Sequence, residues 1–252
     1  MITFSLQSGS NGNSIYVEAD GVGLLFDAGI SGRQARSRMA SHGRDIRAVD
    51  ALLITHDHTD HVRCAGIYQR LFDLPIYMTE GTHRAAEWRL GKASDIRHFH
   101  AGESLSLGPV TVHTHSTAHD AADGVTFVVE CGRKRLGIFT DLGHPFDGLA
   151  EQLENVDAAY LESNYDPLML EEGPYPPDLK RRIRGPGGHL SNEESAELVR
   201  LCAGRHKWIA LAHLSEQNNH PDVALQTYRA ILDAGQPLTI AGRYDVSEVL
   251  RV

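Results

Sequence analysis

The sequence predicts an α/β protein made of two αβ halves packed sheet to sheet. Two observations carry this. Strand-like runs give way to mixed strand and helix patterns, and that order occurs twice along the chain. In addition, Asp50–Thr55 (DALLIT) is a continuous apolar run, as expected for a strand covered on both faces.

The first half opens with strand-like runs at Thr3–Gln7, Ser14–Ala19 and Val22–Asp27. The turns Ser8-Gly9-Ser10-Asn11-Gly12-Asn13 and Asp20-Gly21 punctuate them. Ser31–His42 reads as a helix, Asp50–Thr55 as a strand, Asp60–Phe72 as one helix, Ile76–Met78 as a strand and Thr82–Leu90 as a helix. The second half returns to strands at Val110–Thr114, Val125–Glu130, Leu136–Thr140 and Ala158–Glu162. Helices are expected at Leu179–Ile183, Asn192–Cys202 and Asp222–Ala234, with strands at Trp208–Ala212 and Leu238–Ala241. Asp166–Gly188, rich in Pro and Gly and carrying a basic cluster, reads as a loop that inserts near a substrate. The sequence shows no fixed-period repeat.

With 252 residues the chain can bury roughly three quarters of its unfolded surface, so no staple is needed. Its three cysteines are sparse and odd in number, which argues for a reducing compartment. The first residues carry no basic stretch or long apolar run, so no secretion signal is expected and the expected location is cytoplasmic. No segment approaches a membrane span, and nothing points to a stable protein partner. The net charge of −9 argues against a broad nucleic-acid grip, yet bound divalent ions would reverse the local field for an anionic substrate.

Histidine is the anomaly: there are 15, and several cluster. The strongest signal is Thr55-His56-Asp57-His58-Thr59-Asp60-His61. Alternate positions after a strand project to one side, so His56 and His58 can reach one ion. Asp60 and His61, where the chain turns into a helix, can reach a second. A catalytic zinc takes three protein ligands and leaves a position for water, so the motif demands distant partners. His119, Asp141 and His213 each follow a strand-like run and supply them.

These residues resemble the ordered motifs of the metallo-β-lactamase superfamily: an early Asp (Asp27), the 56–61 run, a His (His119), an Asp (Asp141) and a final His (His213). Within it the chain resembles the YycJ/WalJ branch, through Ser8–Asn13, Phe26–Ser31, His119–Ala122, Thr140–Gly143, Leu161–Asp166, Gly188–Asn192 and Ala212–Asn219. Gly124-Val125-Thr126 departs from the branch's Pro-x-Gly, beside His119. The resemblance implies a four-layer αββα sandwich as a single domain over residues 1–252. It implies one ion on His56, His58 and His119, another on Asp60, His61 and His213, and Asp141 bridging them. It also implies removal of nucleotides from a 5′ end of DNA, so DNA is the expected substrate. Asp27 is expected to support the site through hydrogen bonds.

Two divalent ions about 3.5–4 Å apart hold a bridging water, lower its pKa and neutralise phosphoryl charge. Asp60 is placed to orient that water. Zinc suits the donor set first, with manganese or iron as alternatives. His189 is a candidate to protonate a leaving oxygen, although it also reads as the residue entering a helix capped by Ser191. Ser8, Ser10, Asn11, Asn13, Asn164, Arg181 and Arg182 are expected substrate contacts. The run Lys180–Arg184 reads equally as a solvated helix face. Because the same chemistry attacks carbonyls, hydrolysis of a thioester or lactone is the alternative activity.

Overall fold

A computed structural model describes residues 1–202, 204, 206–232 and 235–252. Its connectivity carries the same plan twice. β1 (Ile2–Gln7), β2 (Ser14–Ala19) and β3 (Val22–Phe26) form an antiparallel meander. The sheet then continues in parallel through β4 (Ala51–Leu53), β5 (Ile76–Thr79) and β6 (Ile96–Phe99). The second sheet begins with antiparallel β7 (Ser104–Leu107), β8 (Val110–Ser116), β9 (Val125–Cys131) and β10 (Lys134–Phe139). It too goes parallel, through β11 (Ala158–Glu162), β12 (Ile209–Ala212) and β13 (Leu238–Ile240). β14 (Leu250–Arg251) returns to pair with β1 at the edge of the first sheet.

Parallel neighbours need crossovers, and helices supply them. In the first half these are α1 (Gly32–Ser41), α2 (Thr59–Val62), α3 (Ala65–Phe72) and α4 (Glu80–Leu90). In the second they are α5 (Leu149–Glu154), α6 (Pro167–Glu172), α7 (Pro177–Arg184), α8 (Asn192–Leu201) and α9 (Pro221–Ile231). Capping boxes at Ser31/Gln34 and Ser191/Glu194 start α1 and α8.

The side-chain alternation of β3 shows how the layers form. Leu24 and Phe26 join the core between the two sheets, with Val112, Phe127 and Ile138 from the other sheet. Leu25 joins a separate core under α1, α3 and α4, with Met39, Tyr68 and Ala86. A third core, including Phe139, Leu161, Leu198 and Tyr228, lies between the second sheet and α5, α8 and α9. The result is the four-layer αββα sandwich.

The expected helix 60–72 is two helices, because the Cys64 backbone N–H bonds to the Ala28 carbonyl at 3.0 Å and sets an N-cap for α3. The stretch 166–188 is not a plain loop. α7 contains the helix expected at Leu179–Ile183, and α6 adds one that was not expected; each has a proline in its first turn, and they pack over a small cluster of Tyr165, Leu170 and Ile183. β6, β7, α5 and β14 were not expected; they are short, and β6 and β7 carry polar, partly exposed alternations. The helix expected at 222–234 ends at Ile231, and positions 233 and 234 lie outside the described residues. Among the described residues no helix is long and apolar enough to cross a membrane. Cys64, Cys131 and Cys202 are free thiols.

Phe127 packs its ring 5.2 Å from Phe26 and 6.2 Å from Phe99 across the two sheets. Phe127→Ala is expected to cost about 3–5 kcal/mol in urea unfolding. Leu71→Ala, at a largely exposed position, should cost about 0.5 kcal/mol or less.

Candidate metal centre

Polar residues gather where the strands of both sheets end. Asp27 follows β3, His56 and His58 follow β4, and Asp60 and His61 lie in α2. His119 follows β8, Asp141 follows β10, Glu162 ends β11 and His213 follows β12. Crevices at the carboxyl ends of parallel strands are where α/β sheets place ligands. Asp27, Asp141 and His213 have φ of 65°, 55° and 55°, in the left-handed region. Asp and His tolerate that region better than most residues, and a strand that turns there aims its side chain across the sheet end.

The donor atoms fall into overlapping groups. His56, His58 and His119 form one, Asp60, His61 and His213 another, and Asp141 joins His56 and His61. His119 Nε2 lies 3.1 Å from His58 Nδ1. Asp141 Oδ2 lies 3.1 Å from both His61 Nε2 and His213 Nδ1, and its Oδ1 lies 3.7 Å from His119 Nε2. Asp60 Oδ2 is 3.5 Å from His61 Nε2 and 3.8 Å from His213 Nε2. His56 Nε2, His213 Nδ1 and Asp141 Oδ2 are buried and make no hydrogen bond. Unpaired buried polar atoms are costly and need an explanation. Divalent cations at this spot would satisfy all three, so the donor set fits metal.

A surrounding layer of hydrogen bonds fixes the rings. Asp27 Oδ2 lies 2.7 Å from His61 Nδ1, and its carboxylate also accepts from the Thr55 N–H and hydroxyl. His56 Nδ1 is 2.9 Å from Thr55 Oγ1, and His119 Nδ1 is 2.7 Å from the Gly188 carbonyl. Such contacts choose the tautomer and leave the other nitrogen facing the centre. Gly29 permits the close packing behind them, since a Cβ there would sit 1.7 Å from the Asp60 carbonyl oxygen.

Burial pushes His56 and His119 below the usual histidine range. Burial works against the charge on His61 too, but Asp141, Asp27 and Asp60 raise it well above that range. Asp141 is the converse: burial acts to raise it, while His213 and His61 hold it well below the ordinary carboxylate range. His189 is raised against burial by Glu162 and Asp141.

Glu162 was not singled out from the sequence as a site residue. It is fully buried, its Oε1 lies 2.6 Å from His189 Nδ1, and its Oε2 accepts from the Leu142 N–H at 2.9 Å. The signal was a lone carboxylate closing the apolar run Ala-Ala-Tyr-Leu. Asp120 was also missed. It lies 3.8 Å from His58 Nε2 and is gripped by the Arg182 fork at 2.7 and 2.8 Å. The turn carrying Asp120 is closed by Thr117 N–H to the Gly124 carbonyl at 3.1 Å, which is the local geometry where the sequence departs from Pro-x-Gly.

His189 joins the cluster, with its ring centroid 4.8 Å from His119 and 5.3 Å from His213. The expected substrate contacts divide. Ser8 is buried and its Oγ accepts from the His213 N–H at 2.8 Å. Asn13 is buried with its Nδ2 2.9 Å from His61 Nε2 and 3.3 Å from Asp60 Oδ2. Asn164 is buried and donates to the His213 carbonyl at 2.8 Å. Ser10 is exposed on the same turn as Asn11. Arg181 is exposed and paired with Asp178, and Arg184 pairs with Glu171 at 2.6 Å.

Comparison with known proteins supplies a family for this geometry. The beta-lactamase superfamily domain matches residues 23–210. The chain is 34% identical over 231 residues to the exodeoxyribonuclease YycJ of Bacillus anthracis, covering 90% of this chain and 88% of that one. It is 37% identical over 227 residues to the exodeoxyribonuclease WalJ of Streptococcus pneumoniae, covering 88% and 84%. The chain belongs to the metallo-β-lactamase superfamily, in its YycJ/WalJ branch. The superfamily fold extends over the whole chain: the metallo-β-lactamase fold protein YhfI from Bacillus subtilis superposes with a TM-score of 0.76 at 17% identity, covering 98% of this chain and 99% of that one.

Two outcomes are expected of this superfamily centre. Asp27→Asn keeps the side-chain shape but weakens its hold on His61, so metal affinity measured by competition with a chelating dye should fall about 10–100-fold while the circular dichroism spectrum is unchanged. The carboxylates of Asp141, Asp27 and Asp60 favour the protonated form of His61, and ligation at its ring works against that form. Calorimetry in buffers of different ionisation enthalpy should therefore show proton release on metal binding, and affinity should weaken as pH falls.

Proposed function

We propose that this hydrolase is a 5′→3′ exonuclease that cleaves phosphodiester bonds of DNA using two divalent ions. The observation that supports it most is the pair of donor groups sharing Asp141, in a branch whose relatives are named exodeoxyribonucleases. His56, His58 and His119 would hold one ion, Asp60, His61 and His213 the other, and Asp141 would serve both. Zinc fits this His-rich set best, and manganese or iron fits the carboxylates. When bound, the ions supply a water of lowered pKa and neutralise charge on the phosphoryl group.

The chain's own residues do the rest. Asp60 Oδ2, beside His61 and His213, accepts a hydrogen bond from the attacking water and orients it. His189 is fixed by the Glu162 carboxylate at Nδ1, which leaves Nε2–H as the donor to the leaving oxygen. Glu162 positions that ring and favours its protonated form. Arg182, whose fork is held by Asp120 beside His58, is the member of the basic run nearest the centre and is placed to receive a phosphate oxygen.

The test uses 5′-phosphorylated and 5′-hydroxyl DNA, labelled at each end, with metal-free protein reloaded with zinc or manganese. Metal-dependent loss of nucleotides from the 5′ end is expected. Asp60→Ala and His189→Ala should each lower the rate about 10²–10⁴-fold with the fold retained. Intact DNA together with turnover of a thioester or lactone would keep the centre and overturn the substrate.

A further inference from the structure

Asn11 sits on the turn between β1 and β2 and receives two guanidinium groups from distant parts of the chain. Arg63 Nη2 donates to its backbone carbonyl at 2.6 Å, and Arg243 Nη1 lies 3.4 Å from its Oδ1. Arg243 also donates to the Leu214 carbonyl, and its Cζ would lie 3.2 Å from a Cβ at Gly9, where φ is 149°. That glycine therefore leaves the guanidinium room against the turn.

Among the described residues, neither Arg63 nor Arg243 has a carboxylate at ion-pair distance. Arg44, Arg182 and Arg184 do, with Glu18, Asp120 and Glu171. What sets these two apart is that both guanidinium groups converge on one residue, Asn11. Glu216 lies near Arg243 but receives the Tyr244 hydroxyl instead. Burial also weighs against the charge of Arg243. Glu216 acts on it only through space and offsets that burial in part, so the partly desolvated guanidinium keeps N–H groups for an anion supplied from outside.

The position relates this pair to the centre. On the other side of the same turn, Asn13 reaches His61 and Asp60, and Ser8 holds the His213 N–H. Arg63 is two residues after His61, and the carbonyl that Arg243 holds belongs to the residue after His213. Arg243 also lines a cavity of about 290 Å³ whose wall includes Leu214, His220 and Tyr244 together with the carboxylates of Glu216 and Asp245, so the phosphate is expected at the Asn11 side of Arg243 and the cavity to take an uncharged part of the ligand. The exposed Tyr244 ring offers a face for a base.

We propose that Arg63 and Arg243 form a cradle for one backbone phosphate of the nucleic-acid strand, a nucleotide or so away from the phosphate being cleaved. This rests on the DNA reading above. Planar forks suit phosphate oxygens, and two forks on a rigid turn set the register of the strand. Their hydrogen bonds to Asn11 and Leu214 hold them in place while their remaining N–H groups meet the ligand.

The test is binding of a fluorescein-labelled phosphorothioate DNA single strand to the metal-loaded protein, followed by anisotropy across a salt series. Arg63→Ala/Arg243→Ala should weaken binding at least about tenfold. It should also reduce the slope of log affinity against log salt by about 0.7, the value for one phosphate on a single strand. The double Lys variant should recover the slope but not the full affinity. Arg33→Ala, which removes an exposed charge from α1, should change neither. Unchanged affinity and slope in the double Ala variant would overturn the cradle. So would equal losses in the Ala and Lys variants accompanied by loss of bound metal, which would make the two arginines braces of the turn. An unmodified phosphodiester strand of the same sequence that the wild type binds but never shortens would remove the exonuclease reading and leave the cradle standing. A wild type that binds no strand would remove both.

Discussion

Asp141 is the constraint around which the centre is built. Its carboxylate is buried, and its Oδ2 lies 3.1 Å from nitrogens of both His61 and His213 without a hydrogen bond. A charge held there is tolerable only among positive or polarising groups. Everything nearby follows from that. Asp27 steadies His61, Thr55 steadies Asp27 and His56, and the Gly188 carbonyl steadies His119. Each contact fixes a ring whose other nitrogen must face the same small volume.

The duplicated plan of the fold explains how so many donors meet. Each half runs an antiparallel meander and then turns parallel, so each sheet sends strand ends toward one rim. Asp27 and the 56–61 run come from the first half, and His119, Asp141 and His213 from the second. The apolar layer between the sheets, with Phe26 against Phe127, sets the distance between the two groups. Catalytic geometry and core packing are therefore one property here.

What could be read from the sequence was what depends on local order. The apolar runs located most of the strands, and alternation after a strand placed His56 and His58 on one side. Two of the breaks in the reading trace to named residues. The helix expected over 60–72 is interrupted because Cys64 bonds to Ala28, a contact between segments far apart in sequence. In the stretch 166–188 the helix at Leu179–Ile183 was legible, but α6 was not, because Pro167 opens that helix rather than prevents it. In the site, Glu162 and Asp120 escaped notice since their partners, His189 and Arg182, lie 27 and 62 residues away. Ser8 and Asn13 stand beside the centre but face the ligand-bearing loops, a direction that no spacing rule reveals. The pairing of Arg63 with Arg243 across Asn11 is equally a product of topology.

The left-handed backbone at Asp27, Asp141 and His213 has a consequence for how such a protein changes over evolutionary time. At these three positions two demands coincide: a donor atom and a conformation that β-branched or bulky residues resist. Asparagine and glycine meet the second demand without restoring a charged donor or an imidazole. Drift away from catalysis would therefore pass through these residues first, since the chain could still turn there while the centre emptied. A descendant with the same sandwich and glycine or asparagine at these strand ends would be a fold that had kept its architecture and shed its chemistry.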